Sequence, residues 1–248
     1  MLATQTRTVL VRELRPAVRD PFTVVFSLVQ PLVFLSLFGP LLAGVSGQPT
    51  DVALQSFVPG IIVMTCFIGT SMTGSNLLGE IQTGSHERLL VTPLSRTSLM
   101  VGRALKEIVP VLAQSVILLV AVLPFGFDLH LVGAALGLAL AAFFAIGIGA
   151  LSYALALAVA KNDWVFWLVQ QTMMFPLLLL AGVLLPLETG PAWLRALSTV
   201  NPLRYLVDAE RELFDGEVWN GAVASGIVAA VVTVIIGMLV GTRAMQRA

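Results

Sequence analysis

Few residues in this chain have the types and spacing that chemistry requires. Gly44-Val45-Ser46-Gly47 fits a G-x-S-G serine motif, and His130 could act as its base. A serine needs a neighbouring base to become a nucleophile, so the reaction read from this pair is cleavage by a membrane serine protease. The match is only four residues long, and Ser46 lies past the end of an apolar run, among loop residues. His86-Glu87 begins like a zinc-protease helix but lacks the second histidine that would complete the ligand pair. No Gly-Lys-Ser or Gly-Lys-Thr occurs, so the phosphate-cradling loop of an ATPase is missing from this sequence. The residues therefore predict no catalytic group and no metal ligand.

Two longer segments are more strongly patterned. The first runs Glu80-Ile-Gln-Thr-Gly84-Ser-His-Glu87-Arg88-Leu-Leu-Val-Thr-Pro93-Leu-Ser-Arg96 and reaches Gly102-Arg103. Gly84 can end one helix and Pro93 interrupts another. Between them Glu87–Val91 forms a short helix that exposes both charge and apolar surface, a form suited to docking in a partner's groove. In the second segment, 188–217, Trp193, Leu194, Leu197 and Val200 make an apolar stripe after Pro191, which suits a helix N1 position. Asn201-Pro202 then breaks the chain and admits a second short helix to about Phe214. Two amphipathic helices there suggest a lid or re-entrant gate; anchoring at the membrane interface by Trp193 and Tyr205 is the alternative.

The elements that position these segments follow from composition. Of 248 residues 57% are hydrophobic and 11% charged, with a mean hydropathy of +0.94. A soluble domain carries about 25% charged residues, so a soluble enzyme, a nucleic-acid binder and a secreted disulfide scaffold are excluded. The single cysteine, Cys66, has no partner in the chain. Pro21–Thr50, Val52–Gly79, Ile108–Phe127, Leu131–Ala160, Trp164–Leu187 and Val218–Thr242 hold no Asp, Glu, Lys or Arg, and each can supply the roughly 20 residues that cross hydrocarbon. The expected fold is an all-α integral membrane protein of six transmembrane helices, forming a single domain. Its spans fall near 22–44, 55–78, 105–126, 131–158, 164–186 and 219–242. Eleven of the 14 Lys and Arg residues fall on the side of the two termini, which the positive-inside rule puts in the cytoplasm; the even span count requires the same side for both. On that topology segment 79–104 is cytoplasmic and 188–217 extracellular. Residues 1–20 read as an interfacial helix with Arg12, Arg15 and Arg19 on one face and Leu10, Leu14, Ala17 and Val18 on the other. A plain basic flank is the alternative, and Pro16 weakens the helix. The first apolar run is much longer than the 7–15 residues of a signal-peptide core, so cleavage is not expected.

No span carries a charge near its centre, which argues against ion-coupled transport and for a driving force outside the bilayer. The polar residues that remain, Gln30, Asn76, Gln114, Gln170 and Gln171, are candidates for lining a solute path. Hydrogen bonding between helices explains any one of them equally well. Gly133 and Gly137, and again Gly237 and Gly241, stand at the G-x-x-x-G spacing that lets helices approach closely.

The two patterned segments, with the topology, resemble type-2 ABC exporter permeases, most closely the daunorubicin-resistance branch. The residues that carry the resemblance are Glu80-x3-Gly84-x2-Glu87-Arg88-Leu89-Leu90-x-Thr92-Pro93-x-Ser95-Arg96 with Gly102, and Asn201-Pro202-Leu203-Arg204-Tyr205-x2-Asp208-x2-Arg211. It implies a permease subunit without ATPase activity of its own, paired with a second permease copy and two cytoplasmic ABC ATPase subunits that bind ATP and Mg. It further implies that Glu80, Gly84, Glu87, Arg88, Pro93 and Arg96 couple to the ATPase, and that Trp193, Asn201, Pro202, Arg204, Tyr205, Asp208 and Arg211 belong to the extracellular gate. Neither cofactor nor nucleic acid is expected to bind this chain. A hydrophobic or amphipathic solute, a drug-like molecule or a lipid, suits spans without buried charge. Abundant Arg beside scarce Lys hints at a GC-rich bacterial genome and so at a bacterial plasma membrane. A membrane assembly protein without a transport role is the remaining rival.

Overall fold

Inside hydrocarbon each backbone N–H and C=O must bond within its own segment, so long apolar runs without charge fold as helices. The computed structural model describes residues 2–19, 21–46, 49–92, 94–183, 187 and 190–247, and among them it contains helices and no strand. In order they are α1 (Leu2–Arg19), α2 (Pro21–Ser46), α3 (Thr50–Ser71), α4 (Gly74–Gln82), α5 (Ser85–Leu90), α6 (Arg96–Lys106), α7 (Ile108–Val122), a 3₁₀ turn at Leu123–Phe125, α8 (Leu131–Ala158), α9 (Asp163–Leu179), α10 (Ala192–Ser198), α11 (Pro202–Phe214) and α12 (Gly221–Arg247).

Among the described residues four rods are long and apolar enough to cross a membrane: Val52–Gln82, Arg96–Phe125, Leu131–Ala158 and Gly221–Arg247. Val25–Leu41 within α2 is a shorter apolar stretch. The helix of the fifth apolar run, α9, is 17 residues long counting Asp163 and stops at Leu179, well before residue 186. The chain tightens there into i→i+3 bonds, Ala181 N–H to the Leu178 carbonyl and Gly182 N–H to that of Leu179, and Gly182 turns it at φ 70°. The Arg96–Phe125 rod begins earlier than the third charge-free run, because α6 continues into α7 through Glu107. α1 continues through Pro16 and packs along α6, with Val9 buried against Gly102.

α8 is the hub. It meets α12 where glycines face each other, and a Cβ on Gly237 would stand 2.2 Å from the Gly147 carbonyl oxygen. At such a distance the two backbones are themselves in contact, the small-residue packing that operates where the hydrophobic effect between helices is absent. α11 beds into the same assembly, packing on α12, α3 and α8. Gly133 of α8 lies so close that its Cβ would overlap the Leu213 carbonyl. The main core joins α3, α8 and α11 through Phe57, Ile61, Ile62, Phe144, Leu206 and Phe214. Of the Val52–Gln82 rod's most apolar window 72% is buried inside the protein, against 28% for the last rod, so α3–α4 is central and α12 faces outward.

Gly237→Val forces α12 away from α8; overpacking costs about 1–3 kcal/mol, and the melting temperature, followed by tryptophan fluorescence in detergent, falls by about 5 °C. Gly44→Ala, whose Cβ would meet nothing within 4 Å, leaves it unchanged.

Candidate functional site

At the end of the bundle that carries α1 and α5, one buried cation gathers four helices. The Arg103 side chain on α6 is 1% exposed. Its Nε donates to Glu13 Oε1 of α1 at 3.3 Å, its Nη2 to Glu80 Oε2 of α4, and its guanidinium carbon lies 5.9 Å from the ring centre of Tyr153 on α8. Lys106 approaches Glu13 at 3.7 Å and Glu107 at 3.9 Å, while Arg12 reaches Glu80 at 3.7 Å. Glu107 accepts hydrogen bonds from Thr73 (2.7 Å) and Tyr153 (3.3 Å). A buried charge is tolerated only when paired and hydrogen-bonded, so these contacts fix where α4 ends and how α1 lies. Gln5 of α1 adds a cap on α6, its Oε1 accepting the Ser95 N–H at 3.2 Å.

From α4 the chain turns at Gly84, left-handed at φ 66°, into α5. This is the helix break that the glycine suggests. Of the coupling residues read from sequence, Glu80 lies in the buried charge cluster, Glu87 and Arg88 are exposed on α5, and Arg96 Nη1 binds the Met245 carbonyl at 3.2 Å, tying α6 to α12. Pro93 lies outside the described residues. Val91, just after α5, is 86% exposed. His86 points inward, and neither of its ring nitrogens has a hydrogen-bond partner. Burial, with Arg103, Arg96 and Arg12 nearby, holds its pKa down at about 4, so it packs as a neutral ring.

At the opposite end α10 and α11 form a knot. Asn201 caps α11, its side chain accepting the Leu203 N–H at 3.1 Å and donating to the Leu177 carbonyl of α9 at 2.7 Å. Pro202 takes the first helical position of α11; Pro191 stands just outside α10 as its N-cap, not at N1. Arg204 binds Ser198 at 2.8 Å and approaches Asp208 at 3.7 Å, and the Tyr205 hydroxyl donates to the Thr199 carbonyl at 2.7 Å. Arg211 reaches across to the carbonyls of Ser56 (3.1 Å) and Gly182 (2.9 Å). Trp193 is exposed on α10, whereas α11 is largely core. Buried in α11 is Glu210, neither of whose carboxyl oxygens has a hydrogen-bond partner; Gly137 of α8 makes room, since a Cβ there would be 2.3 Å from Oε2. Burial pushes this carboxyl up to about 8.

The five polar span residues do not line one path. Gln114 donates to Ser27 at 2.6 Å and, with Gln30, Thr65 and Gly69, lines a cavity of about 180 Å³ between α2, α3 and α7. Gln170 is buried and donates to the Ser71 carbonyl, while Asn76 and Gln171 are exposed. His130 Nδ1 is 3.1 Å from the Phe214 carbonyl, and the Ser46 side chain lies outside the described residues. Sequence reasoning passed over Arg103, Glu13, Glu107, Tyr153, His86 and Glu210 as site residues. The available signal was position, because Arg103 and Glu107 stand at the rim of a charge-free run, where a charge must find partners.

Long apolar helices, a basic amphipathic helix tied to the bundle and an exposed turn helix are the features of a multi-pass membrane protein. Residues 4–214 match the family model "ABC-2 type transporter", and the chain belongs to that family. It is 31% identical over 218 residues to a putative transport permease, ycf38, of Cyanophora paradoxa, covering 81% of this chain and 71% of the relative. It is 28% identical over 201 residues to the daunorubicin resistance ABC transporter permease protein DrrB1 of Streptomyces coeruleorubidus (79% and 70%). A probable doxorubicin resistance ABC transporter permease protein, DrrC, of Mycobacterium tuberculosis is 28% identical over 229 residues (90% and 77%). The chain is thus an ABC-2 permease domain of the cell membrane.

Arg103→Gln leaves Glu13 and Glu80 without their buried partner. The expected loss is about 3 kcal/mol, with α1 released and proteolysis at Arg7 and Arg12 accelerated. At Glu210 the folded pKa of about 8 exceeds the ordinary 4.5, so folding favours the protonated acid. The stability this contributes is complete below pH 4.5 and disappears as pH rises through 8. Glu210→Gln removes that dependence: the melting temperature of the variant gains on wild type between pH 5 and pH 8.5, and a constant difference contradicts the assignment.

Proposed function

We propose that this chain is the transmembrane subunit of an ATP-driven exporter. It spans the membrane six times with both termini in the cytoplasm, pairs with a second permease copy and is driven by two copies of a separate ABC ATPase, which carry the ATP and Mg. Its cargo is a hydrophobic or amphipathic solute, drug-like or lipid, released outward by alternating access. The names of the drug-resistance permeases among its relatives support the cargo class, and family membership supports the ATPase partner.

The observation that carries the reading is the arm. α5 presents Glu87 and Arg88 to solvent, and α4 joins it rigidly to the bundle through Glu80 and Arg103. A partner seated on α5 pushes on α4 and, through Arg103, on α1 and α6 together. Arg96, bound to the end of α12, extends the same rigid base. The knot at Asn201, Arg204, Tyr205, Asp208 and Arg211 closes the far end, with Trp193 at its exposed edge. Gln30 and Gln114 offer amides to a solute in the cavity between α2, α3 and α7. The protease reading gains nothing from His130, whose ring nitrogen is already 3.1 Å from the Phe214 carbonyl.

The test is efflux from proteoliposomes that contain the chain and its co-expressed ATPase, with a fluorescent hydrophobic cation as the probe. Glu87→Ala with Arg88→Ala lowers ATPase affinity about tenfold and export with it, while membrane insertion is unaffected. Unchanged export in that double variant refutes the coupling role of α5.

A further inference from the structure

The central rod, Val52–Gln82, is interrupted once, and a side chain from another helix fills the gap. Ser152 of α8 accepts the Gly74 N–H on its Oγ at 2.9 Å and donates its own proton to the Ser71 carbonyl. Gln170 of α9 donates to that same carbonyl. Between these points the backbone tightens to i→i+3 bonds: Thr73 N–H to the Thr70 carbonyl (3.4 Å), Ser75 to Met72 (3.0 Å) and Asn76 to Thr73 (3.2 Å). Thr73 is held from the side, donating to Glu107 at 2.7 Å with the Tyr153 hydroxyl 3.1 Å away.

Insertion of a side chain into the helical ladder is one of the few causes of a sharp bend, and 3₁₀ geometry in mid-helix often marks a hinge. No proline imposes this break, since none lies between Pro59 and Pro93. Space is reserved for it, because a Cβ at Gly74 would stand 2.4 Å from the Ser152 carbonyl oxygen and 2.8 Å from both Ser152 Oγ and a Phe166 ring carbon. Withdrawal of Ser152 would let Gly74 N–H close on the Thr70 carbonyl and the Ser71 carbonyl on Ser75 N–H, so both groups keep a partner in either arrangement. The two arrangements are discrete, as a switching element requires.

We propose that Met72–Thr73 is a two-state joint, bent with the Ser152 hydroxyl inserted and straight with it withdrawn, and that Ser152 and Gln170 are the positioning residues that hold the bent state. The joint lies between the buried rod α3 and the arm α4–α5, which Arg103 and Glu80 tie to α1 and α6, so a push on α5 either moves that tied unit alone or carries the rod with it, according to the joint's state. Only this last step rests on the exporter reading.

Two spin labels across the joint test it, at Ser56→Cys and Gly79→Cys in a Cys66→Ala background, with the protein in nanodiscs. Both positions are exposed, and a Cβ at residue 79 would meet nothing within 4 Å. Ser152→Ala and Gln170→Met each shift the distance distribution to a longer mean. Wild-type distances in both variants overturn the joint. With the co-expressed ATPase present, Ser152→Ala retains ATP hydrolysis but loses most of the export per ATP; an unchanged ratio overturns the positioning role. Absence of ATP-driven efflux in the wild type would defeat the exporter reading alone, because the label distances are read without it.

Discussion

Arg103 holds a full charge where only 1% of its side chain meets solvent, and the rest of this end of the molecule is arranged around that fact. A lone buried ion costs far more than a small protein can offset, so three other helices must supply partners. Glu13 and Glu80 bring carboxylates from α1 and α4, and Tyr153 brings a ring from α8. Lys106 and Arg12 keep the two carboxylates from standing as excess negative charge. Breaking such a buried set is strongly destabilising even where its net contribution is small. It therefore specifies position: α1 is fastened to the bundle, and the arm leading to α5 is fastened to α1.

The far end follows a different rule. There the contacts go mostly to backbone carbonyls: Arg211 to Ser56 and Gly182, Asn201 to Leu177, Tyr205 to Thr199. Leu177 and Thr199 lie at helix C-termini, where carbonyls left free need donors, and residues of α11 and its N-cap supply them. A segment held this way can reseat when the helix ends move, whereas the Arg103 set resists separation. The protein thus has one stiff end and one end able to re-form its bonds.

Charge-free runs show in the sequence because hydrocarbon excludes charge, and Gly84 and Asn201-Pro202 show because turns need them. The all-helical fold and the short helices α5, α10 and α11 were legible for those reasons. Glu80, however, read only as an ATPase-coupling residue of the cytoplasmic segment; its partner Arg103, and the Glu13 that shares that arginine, lie in other helices, and no local pattern links them. Glu210 was hidden by its neighbours: nothing local sets it apart from Asp208, Arg211 and Glu212, whereas α11 turns it toward Gly137. The end of α9 at Leu179 was missed because apolarity marks what can lie in the membrane, not what must be helical there. The five amides were visible, but which helices they face depends on packing that one sequence does not record.

The fastening of α1 also sets an order of events during synthesis. Glu13 is made 90 positions before the arginine that binds it. At roughly 5–20 residues per second, Glu13 waits several seconds for that arginine, while the first apolar runs enter the bilayer. Through that interval α1 is a helix basic on one face and apolar on the other, the kind a bilayer surface accommodates until Arg103 emerges to receive it.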